Sequence, residues 1–592
     1  MLSLLALNYT LTMVVTPQYA QFGSQIYCNH TVNEVRNCTD YPQLIIPCDV
    51  TAPADICTPT VISTFIHRIT VNTPFFGVIF YHAHWAFLGV TLLGFIYAMI
   101  KSPSDRLYDD LDDEMDEEEE GFLMANSPKL QEFLSWAQER GVISDIQVQD
   151  IPDKGLGFVT KRNVTRDNSI VAYIPYSILL NATKISRYAK DKAPKLEETF
   201  NALMAEGKHL SERDIFILFL LYERLAPGGE TSSLWKAYID ILPRTLHTPL
   251  FYDPTLRACL DGTSLKPAVD AKYNKLKKEY ESLRSLFNKW SKVEDAGGHD
   301  VVTFEHFRWA DGVFWSRVLS FGSRFQTIDS IEGDLDDFHL VPFLDFANHS
   351  LTPYARWEIG TEGVELILTK SDSLEPITSD TEICISYGDK PNSELLFVHG
   401  FTLSDNPWSA ISFPVPFYDD DELAKAKLLF MQYHGIKHLV SLARKKGGAE
   451  LSHDSTRAMW ICVLAEEDGI KFKLNHNDPS HPIDLFIGNQ IIPTLDVFDN
   501  VINSMELLPV IEFRVMESVL ENVEYLLSHL KQTNEQVLKM MEHGRNSREL
   551  EYVRIYREDE YKFLEFAVED FTRKRDALMT DEVVQRFMLN DQ

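Results

Sequence analysis

The chain has 592 residues, too many for a single hydrophobic core, and its 45% hydrophobic and 24% charged residues are typical of globular protein. The formal net charge of −32 argues against binding to nucleic-acid phosphates as the main activity. An acidic surface of this kind keeps a protein soluble and suits basic protein partners.

Residues 1–74 carry two signals of an oxidising compartment. Four of the seven cysteines fall in this segment without a CxxC pairing, which favours disulfides over a zinc site: Cys28, Cys38, Cys48 and Cys57. Three Asn-x-Thr glycosylation sequons occur in the same segment, at Asn8, Asn29 and Asn37. We therefore predict that residues 1–74 form a small lumenal or extracellular segment.

The next two segments predict a membrane anchor and a linker. Residues 75–100 contain no formally charged side chain, and an apolar helix of this length spans about 30 Å of hydrocarbon. Residues 101–124 are strongly acidic, which predicts a disordered linker. This order places the rest of the chain in the cytoplasm behind one transmembrane helix. Alternatively, residues 1–120 are a mis-joined reading frame, and the protein is soluble in the cytoplasm or nucleus.

The body of the chain predicts a β-rich unit over residues 125–410, interrupted by a helical insertion at about 186–311. Short alternating segments rich in β-branched residues predict strands on both sides of this insertion. Within the insertion, ERDIFILFLLYERL has apolar residues at helical spacing. The same periodicity dominates residues 411–592, so we predict an all-α C-terminal domain.

Three short motifs stand out in the β-rich parts. DKGLGF (153–158) contains two glycines that permit a sharp turn and close approach to a ligand, although a simple hairpin has the same pattern. LVPFLDFANHS ends an apolar run on polar side chains, which also fits a strand-ending turn. EICISYG presents Tyr387, which by itself is more typical of a core tyrosine with a satisfied hydroxyl.

In this order and spacing, the three motifs resemble those of SET-domain protein-lysine methyltransferases. The stretch FLLYERLAPGGETSSLWKAYIDILP, followed by LDGTSL, is similar to the Rubisco large-subunit methyltransferase group. The resemblance covers about residues 125–590. It implies an α+β fold: a β-rich SET domain with a pseudoknot, split by a helical insertion and followed by an all-α substrate-binding domain.

The resemblance also implies a site for S-adenosylmethionine between two facing segments. The GxG segment contributes mostly backbone groups, from Lys154, Gly155, Leu156 and Gly157. The facing segments contribute Arg317, Asp345, Asn348 and His349, and the guanidinium of Arg317 suits the cofactor carboxylate. Tyr387 corresponds to the catalytic tyrosine, whose hydroxyl orients the substrate amine. The cysteine-rich zinc flanks of histone-directed members have no counterpart here, so no metal is predicted.

The predicted substrate channel, formed by His399, Phe401 and Leu319, departs from the family pattern. Many members have YGF where this chain has HGF. His399 forms a flat wall or accepts a proton, and the number of methyl groups transferred is therefore open. The related actin-histidine methyltransferase also lacks this tyrosine, but it has a polar group at the position of Leu319. The apolar residue here favours lysine as the substrate.

Together these features predict a protein-lysine N-methyltransferase acting on a basic, non-histone protein, such as a ribosomal protein or a translation elongation factor. The alternatives are a catalytically silent SET-like scaffold that binds a partner protein and a protein-histidine methyltransferase. A membrane receptor with a cytoplasmic adaptor is a further hypothesis, for which residues 1–74 give little support. Nothing supports a hydrolase, because neither GxSxG nor HExxH occurs in the chain.

Overall fold

A computed structural model describes residues 127–590, except for 166, 226–232, 291–300, 323–336, 371–375, 418–420, 476–480 and 544–546. The predicted N-terminal segment, transmembrane helix and acidic linker all lie outside the described residues, as do the four clustered cysteines. Within these ranges, no helix has both the length and the apolar character needed to cross a membrane.

Short antiparallel strands follow a single helix at the start of the described chain. Their bounds are α1 (Pro128–Glu139), β1 (Ile143–Ser144), β2 (Ile146–Ile151), β3 (Gly155–Thr160), β4 (Ile170–Pro175), β5 (Leu319–Ser320), β6 (Phe338–His339), β7 (Ala355–Ile359) and β8 (Gly363–Leu368). One four-stranded sheet has the order β1-β4-β8-β7, while β2 pairs with β3 and β5 with β6. Their apolar faces contribute to a core that the strands share with the inserted helices.

Seven helices lie between β4 and β5: α2 (Ala182–Lys192), α3 (Pro194–Ala205), α4 (Glu212–Leu225), α5 (Lys236–Asp240), α6 (Pro254–Ala258), α7 (Leu265–Phe287) and α8 (Phe304–Arg317) among the described residues. The run from Ile215 to Leu221 in α4 is buried on all sides, which explains its continuous apolar sequence. Thr303 caps α8, since its hydroxyl accepts from the His306 amide at 3.3 Å. Because α8 ends at Arg317, it carries this arginine to the edge of the β-rich part.

The segment 382–387 joins the motifs because it pairs on both sides. The Ile383 amide donates to the carbonyl oxygen of Phe158 in β3 at 2.8 Å. On the opposite side, the Ile385 amide donates to the carbonyl oxygen of Asn348 at 2.9 Å. The GxG hairpin, the NHS segment and the Tyr387 segment are therefore neighbours, although the insertion separates them in sequence. The pseudoknot also requires threading of the chain through a loop, and it stays a prediction.

The prediction that residues 411–592 are all helical is wrong for the first part of this stretch. The described elements from 392 to 492 are α9 (Asn392–Glu394), β9 (Ala410–Pro414), α10 (Ala424–Tyr433), β10 (Leu439–Lys445), β11 (Gly448–Leu451), α11 (His453–Val463), β12 (Ile470–Leu474), β13 (Ile483–Ile487) and β14 (Gln490–Ile492). They include two three-stranded sheets, β11-β10-β9 and β12-β13-β14. In LVSLARK, the buried Val440 and Leu442 alternate with more exposed residues. That period of two is a strand signal, which the helical periodicity of the neighbouring segments concealed.

The helices after residue 494 form the end of the described chain: α12 (Leu495–Ser504), α13 (Leu508–His543), α14 (Arg548–Leu578) and α15 (Glu582–Asn590). α14 packs along α13 and also contacts the LDGTSL stretch of the insertion. Arg557 Nη1 donates to the carbonyl oxygens of Cys259 and Asp261, at 3.1 and 2.6 Å. The Ser264 amide donates to Glu560 Oε1 at 2.7 Å. These bonds fix α14 against the insertion.

Candidate active site

A cavity of about 1150 Å³ lies where β3, the NHS segment and the Tyr387 segment meet. All but one of the predicted site residues line it: Lys154, Gly155, Leu156, Arg317, Leu319, Asp345, Asn348, His349, Tyr387, His399 and Phe401. The exception, Gly157, lies further along β3, behind Asn348. The wall also contains Trp315, Phe338 and Trp357, and α14 contributes Arg548 and Tyr552. Sequence analysis did not single out these last five residues.

The two glycines of the GxG motif serve different purposes. Gly155 has a φ of 77°, in the left-handed region, and follows the turn that joins β2 to β3. Gly157 is required for space: a Cβ there would lie 2.7 Å from Asn348 Nδ2 and 2.6 Å from Ile151 Cγ1. The second glycine therefore allows the Asn348 amide to reach the β3 backbone.

The Asn348 amide belongs to a polar network that includes a residue missed by the sequence analysis. Its Nδ2 donates to Glu382 Oε1 at 3.0 Å and to the carbonyl oxygen of Leu156 at 3.4 Å. Lys154 Nζ donates to Glu382 Oε2 at 2.5 Å. Glu382 thus links the GxG hairpin to the NHS segment. The available signal was an acidic residue at the start of the otherwise apolar strand-like run EICISYG.

An ion pair lines the cavity. Arg317 Nη1 donates to Asp345 Oδ2 at 3.0 Å, and the Tyr238 hydroxyl donates to the same oxygen at 2.9 Å. Tyr238 comes from α5, and sequence analysis did not identify it. Arg317 Nε and Asp345 Oδ1 are buried and have no hydrogen-bond partner in the described part of the chain. The hydrogen-bonding capacity of these two atoms is therefore not met by any described residue.

Tyr387 is held at both its backbone and its hydroxyl. Its amide donates to His349 Nδ1 at 3.0 Å, and its hydroxyl donates to the carbonyl oxygen of Ala347 at 3.0 Å. Burial raises the pKa of the Tyr387 hydroxyl above its usual range, and it lowers the pKa of His349. The phenol therefore stays protonated at neutral pH and acts as a hydrogen-bond donor rather than a base.

His399 and Phe401 form a wall of rings beside Tyr387. The ring centroids of Tyr387 and His399 are 4.8 Å apart, and those of His399 and Phe401 are 6.2 Å apart. Burial lowers the pKa of His399 to about 4, and the charge of Lys390 acts in the same direction. At neutral pH, His399 is accordingly an uncharged flat surface.

This largely desolvated, neutral imidazole predicts a loss of stability in acid. The unfolded chain takes up the proton near pH 6.5, whereas folded His399 does so near pH 4. The stability contributed by its neutral form is therefore complete above pH 6.5 and is lost as the pH falls towards 4. Between pH 7 and pH 4.5, we expect the free energy of unfolding to fall by about 1–2 kcal/mol more in the wild type than in His399→Phe. Urea unfolding at the two pH values measures this difference.

The matched control for this measurement is His438→Gln, because His438 is an exposed histidine of the same chain. Its loss of unfolding free energy between pH 7 and pH 4.5 should equal that of the wild type. An equal loss for His399→Phe and the wild type would show that His399 does not contribute to acid sensitivity.

Comparison with solved structures assigns the fold. No protein-family model matches the chain. A crystal structure of the SET domain of LSMT bound to lysine and AdoHcy is similar with a TM-score of 0.54 and 20% identity, over 79% of this chain and 96% of that one. A structure of Rubisco LSMT bound to AdoMet is similar with a TM-score of 0.52 and 19% identity, over 78% of this chain and 96% of that one. The chain has a SET-domain fold. At this level of identity, the likeness concerns the fold alone.

Curated relatives match a smaller share of the chain. The probable lysosomal cobalamin transporter of Pyrenophora tritici-repentis is 43% identical over 131 residues, which are 21% of this chain and 22% of that protein. The Aspergillus terreus protein of the same name is 42% identical over 139 residues, 22% of this chain and 24% of that protein. The chain thus spans less than a quarter of the length of these relatives.

These relatives correct the predicted localisation. Sequence analysis placed the catalytic part in the cytoplasm behind a membrane anchor, or the whole protein in the cytoplasm or nucleus. Both versions are wrong by this comparison, because the matching proteins carry the name of a lysosomal transporter. Cysteine content and sequons indicate only an oxidising compartment, and they do not identify an organelle.

Proposed function

We propose that this chain is an S-adenosylmethionine-dependent protein-lysine N-methyltransferase. The observation that carries the proposal is the meeting of three distant motifs at one cavity: the GxG hairpin, Asn348 with its ion-paired neighbour Asp345, and Tyr387. The fold supports it, since structures of that fold hold AdoMet, AdoHcy and lysine.

The polar groups of the cavity fit the methionine part of this cofactor, which carries a carboxylate and an ammonium group. The unpartnered Nε of Arg317 suits the carboxylate, and the unpartnered Oδ1 of Asp345 suits the ammonium. Asn348 and the Leu156 backbone, which also line the cavity, would complete the site. A buried polar atom without a partner is costly, so a zwitterionic ligand would relieve the cost at both atoms.

When bound, the cofactor supplies an electrophilic methyl group on a sulfonium. The residues of this chain then position a lysine amine, which must be neutral to react although its pKa in water is about 10.4. His399, Phe401 and Leu319 line the approach without a formal charge at neutral pH, and an uncharged, desolvated channel lowers the pKa of an amine. Tyr387, held by Ala347, keeps its O–H in place beside that channel.

The proposed substrate is a basic, non-histone protein, such as a ribosomal protein or a translation elongation factor. The net charge of −32 favours a basic partner. Leu319 lines the cavity and offers no polar group to an imidazole, which favours lysine over histidine. The likeness to cobalamin transporters extends over less than a quarter of those proteins, so it supports a shared segment rather than transport.

Calorimetry on the full-length protein tests the proposal directly. We expect S-adenosylmethionine to bind with micromolar affinity, and Asn348→Ala to weaken this binding about tenfold, as for the loss of one hydrogen bond to a charged group. Asn503→Ala, at an exposed asparagine of α12, is the control and should bind as the wild type does.

Transfer of a tritiated methyl group to proteins of a cell extract then identifies the substrate. Hydrolysis of the labelled protein should yield methyllysine. Labelled methylhistidine would instead support the histidine-directed alternative. A folded protein that binds no S-adenosylmethionine would overturn the proposed activity and leave a protein-binding scaffold.

A further inference from the structure

Glu382 is a carboxylate that contacts two residues of the cavity wall, and neither the motifs nor the fold assigns its purpose. Its Oε2 accepts from Lys154 Nζ at 2.5 Å, and its Oε1 accepts from Asn348 Nδ2 at 3.0 Å. Its side chain is 19% exposed, and its backbone pairs with Val159 of β3. Glu382 is therefore a fixed hydrogen-bond acceptor rather than a mobile surface charge.

These contacts leave one orientation for the Asn348 amide. A side-chain amide donates at its nitrogen and accepts at its oxygen. The end that faces Glu382 also faces the carbonyl oxygen of Leu156, at 3.4 Å. Both neighbours on that side accept, so a reversed amide would bring three oxygen atoms together. Asn348 Oδ1 must therefore be the end that is turned away from Glu382.

Packing keeps the amide in this position. A Cβ at residue 157 would lie 2.7 Å from Asn348 Nδ2, so only glycine leaves space for the amide there. The backbone of Asn348 is held as well, because its carbonyl oxygen accepts from the Ile385 amide at 2.9 Å. Gly157 thus lets the amide reach Glu382, and the paired backbone of Asn348 fixes the point from which the side chain extends.

The result is a pair of oxygen acceptors for a ligand. Among the described residues, no donor bonds to Asn348 Oδ1, and Asn348 lines the cavity. Asp345 Oδ1 is also buried without a partner in the described part. Two acceptors of this kind suit an ammonium group.

We propose that Glu382 is a positioning residue, which orients the Asn348 amide so that the site prefers a ligand with a free amino group. The inference rests on the proposed function, because that amino group belongs to the methionine part of the cofactor. Glu382 also holds Lys154 Nζ, but its effect on the ligand amino group is exerted through Asn348, and it does not itself line the cavity. Without the carboxylate, only the more distant carbonyl oxygen of Leu156 still favours this orientation, so the reversed amide, with its NH2 group towards the ligand amine, becomes more populated.

Two ligands that differ in the amino-acid part test this role. S-adenosylhomocysteine and 5′-methylthioadenosine are both uncharged at sulfur, and only the first carries the amino and carboxylate groups. In calorimetry on the full-length protein, we expect Glu382→Gln to weaken S-adenosylhomocysteine binding about tenfold. Binding of 5′-methylthioadenosine should change by less than about twofold.

Conservative variants separate orientation from simple structural support. Glu382→Asp still only accepts hydrogen bonds, so it should restore most of the preference for S-adenosylhomocysteine. Glu358→Gln, at an exposed carboxylate of β7, is the matched control and should change neither affinity. Thermal unfolding checks that each variant is folded. If Glu382→Gln is not folded, Glu382→Ala provides the test. This variant should lose less affinity, and again only for S-adenosylhomocysteine.

The outcomes distinguish this inference from the proposed function. If Glu382→Gln lost affinity for both ligands equally, Glu382 would be a structural support, and the inference would be overturned. Unchanged S-adenosylhomocysteine binding in that variant would overturn it too, while leaving the cofactor site established. A wild-type protein that binds neither S-adenosylmethionine nor S-adenosylhomocysteine would overturn the proposed function, and this inference with it.

Discussion

Replacing Tyr387 by Phe is expected to slow methyl transfer by about a hundredfold to a thousandfold, the usual effect of removing one positioned donor from a reacting centre. The substitution keeps the ring contacts with His349 and His399, at 5.2 and 4.8 Å, and removes only the O–H that Ala347 holds. Cofactor affinity should therefore stay within about twofold of the wild type. Single-turnover transfer of a tritiated methyl group, together with calorimetry, measures the two quantities.

Tyr433→Phe is the control for this experiment. Tyr433 is 37% exposed on α10, and its hydroxyl bonds to His481 rather than to any residue of the cavity. Its transfer rate should equal that of the wild type. A wild-type rate in Tyr387→Phe would remove the hydroxyl from the mechanism. A parallel fall in rate and cofactor affinity would instead indicate that the substitution disturbs the whole site.

Local motifs located most of the candidate site, because each motif carries its own chemical constraint. The polar end of LVPFLDFANHS indicated Asp345, Asn348 and His349, and the structure places all three at the cavity. Gly157 was also predicted to bind the cofactor; it does not line the cavity, and a side chain at this position would meet Asn348. Whether these residues bind the cofactor stays a prediction until binding is measured.

The parts that sequence analysis missed depend on contacts between distant segments. Glu382 pairs with Lys154 across 228 positions of sequence, and Tyr238 reaches Asp345 across 107. Glu382 lies in EICISYG and Tyr238 in FLLYERLAPGGETSSLWKAYIDILP, but nothing in either stretch indicates the distant partner of these residues. Arg548 and Tyr552 line the cavity because the bonds of Arg557 and Glu560 to the insertion hold α14 in place. Only a folded chain brings such residues together.

Replacing Gly157 by Ala is expected to weaken S-adenosylmethionine binding about a hundredfold, more than the loss of the Asn348 side chain alone. The added methyl group would lie 2.7 Å from Asn348 Nδ2 and 2.6 Å from Ile151 Cγ1, so the amide or the β2–β3 hairpin must move. Such overpacking also lowers the free energy of unfolding, by about 1–3 kcal/mol. Calorimetry and urea unfolding of the full-length protein measure both effects.

Gly447→Ala is the matched control, because it adds the same methyl group where only the flexible end of Glu450 lies nearby, at 3.0 Å. This variant should bind S-adenosylmethionine as the wild type does. If Gly157→Ala also binds normally, the Asn348 amide can move without loss, and its close approach to β3 is not what shapes the cofactor site. Two results together would support both roles of the Asn348 amide: Gly157→Ala weakens S-adenosylmethionine binding, and Glu382→Gln selectively weakens S-adenosylhomocysteine binding. The position and the orientation of this amide then each contribute to cofactor recognition. The second glycine of the GxG motif then acts through Asn348 rather than through its own backbone.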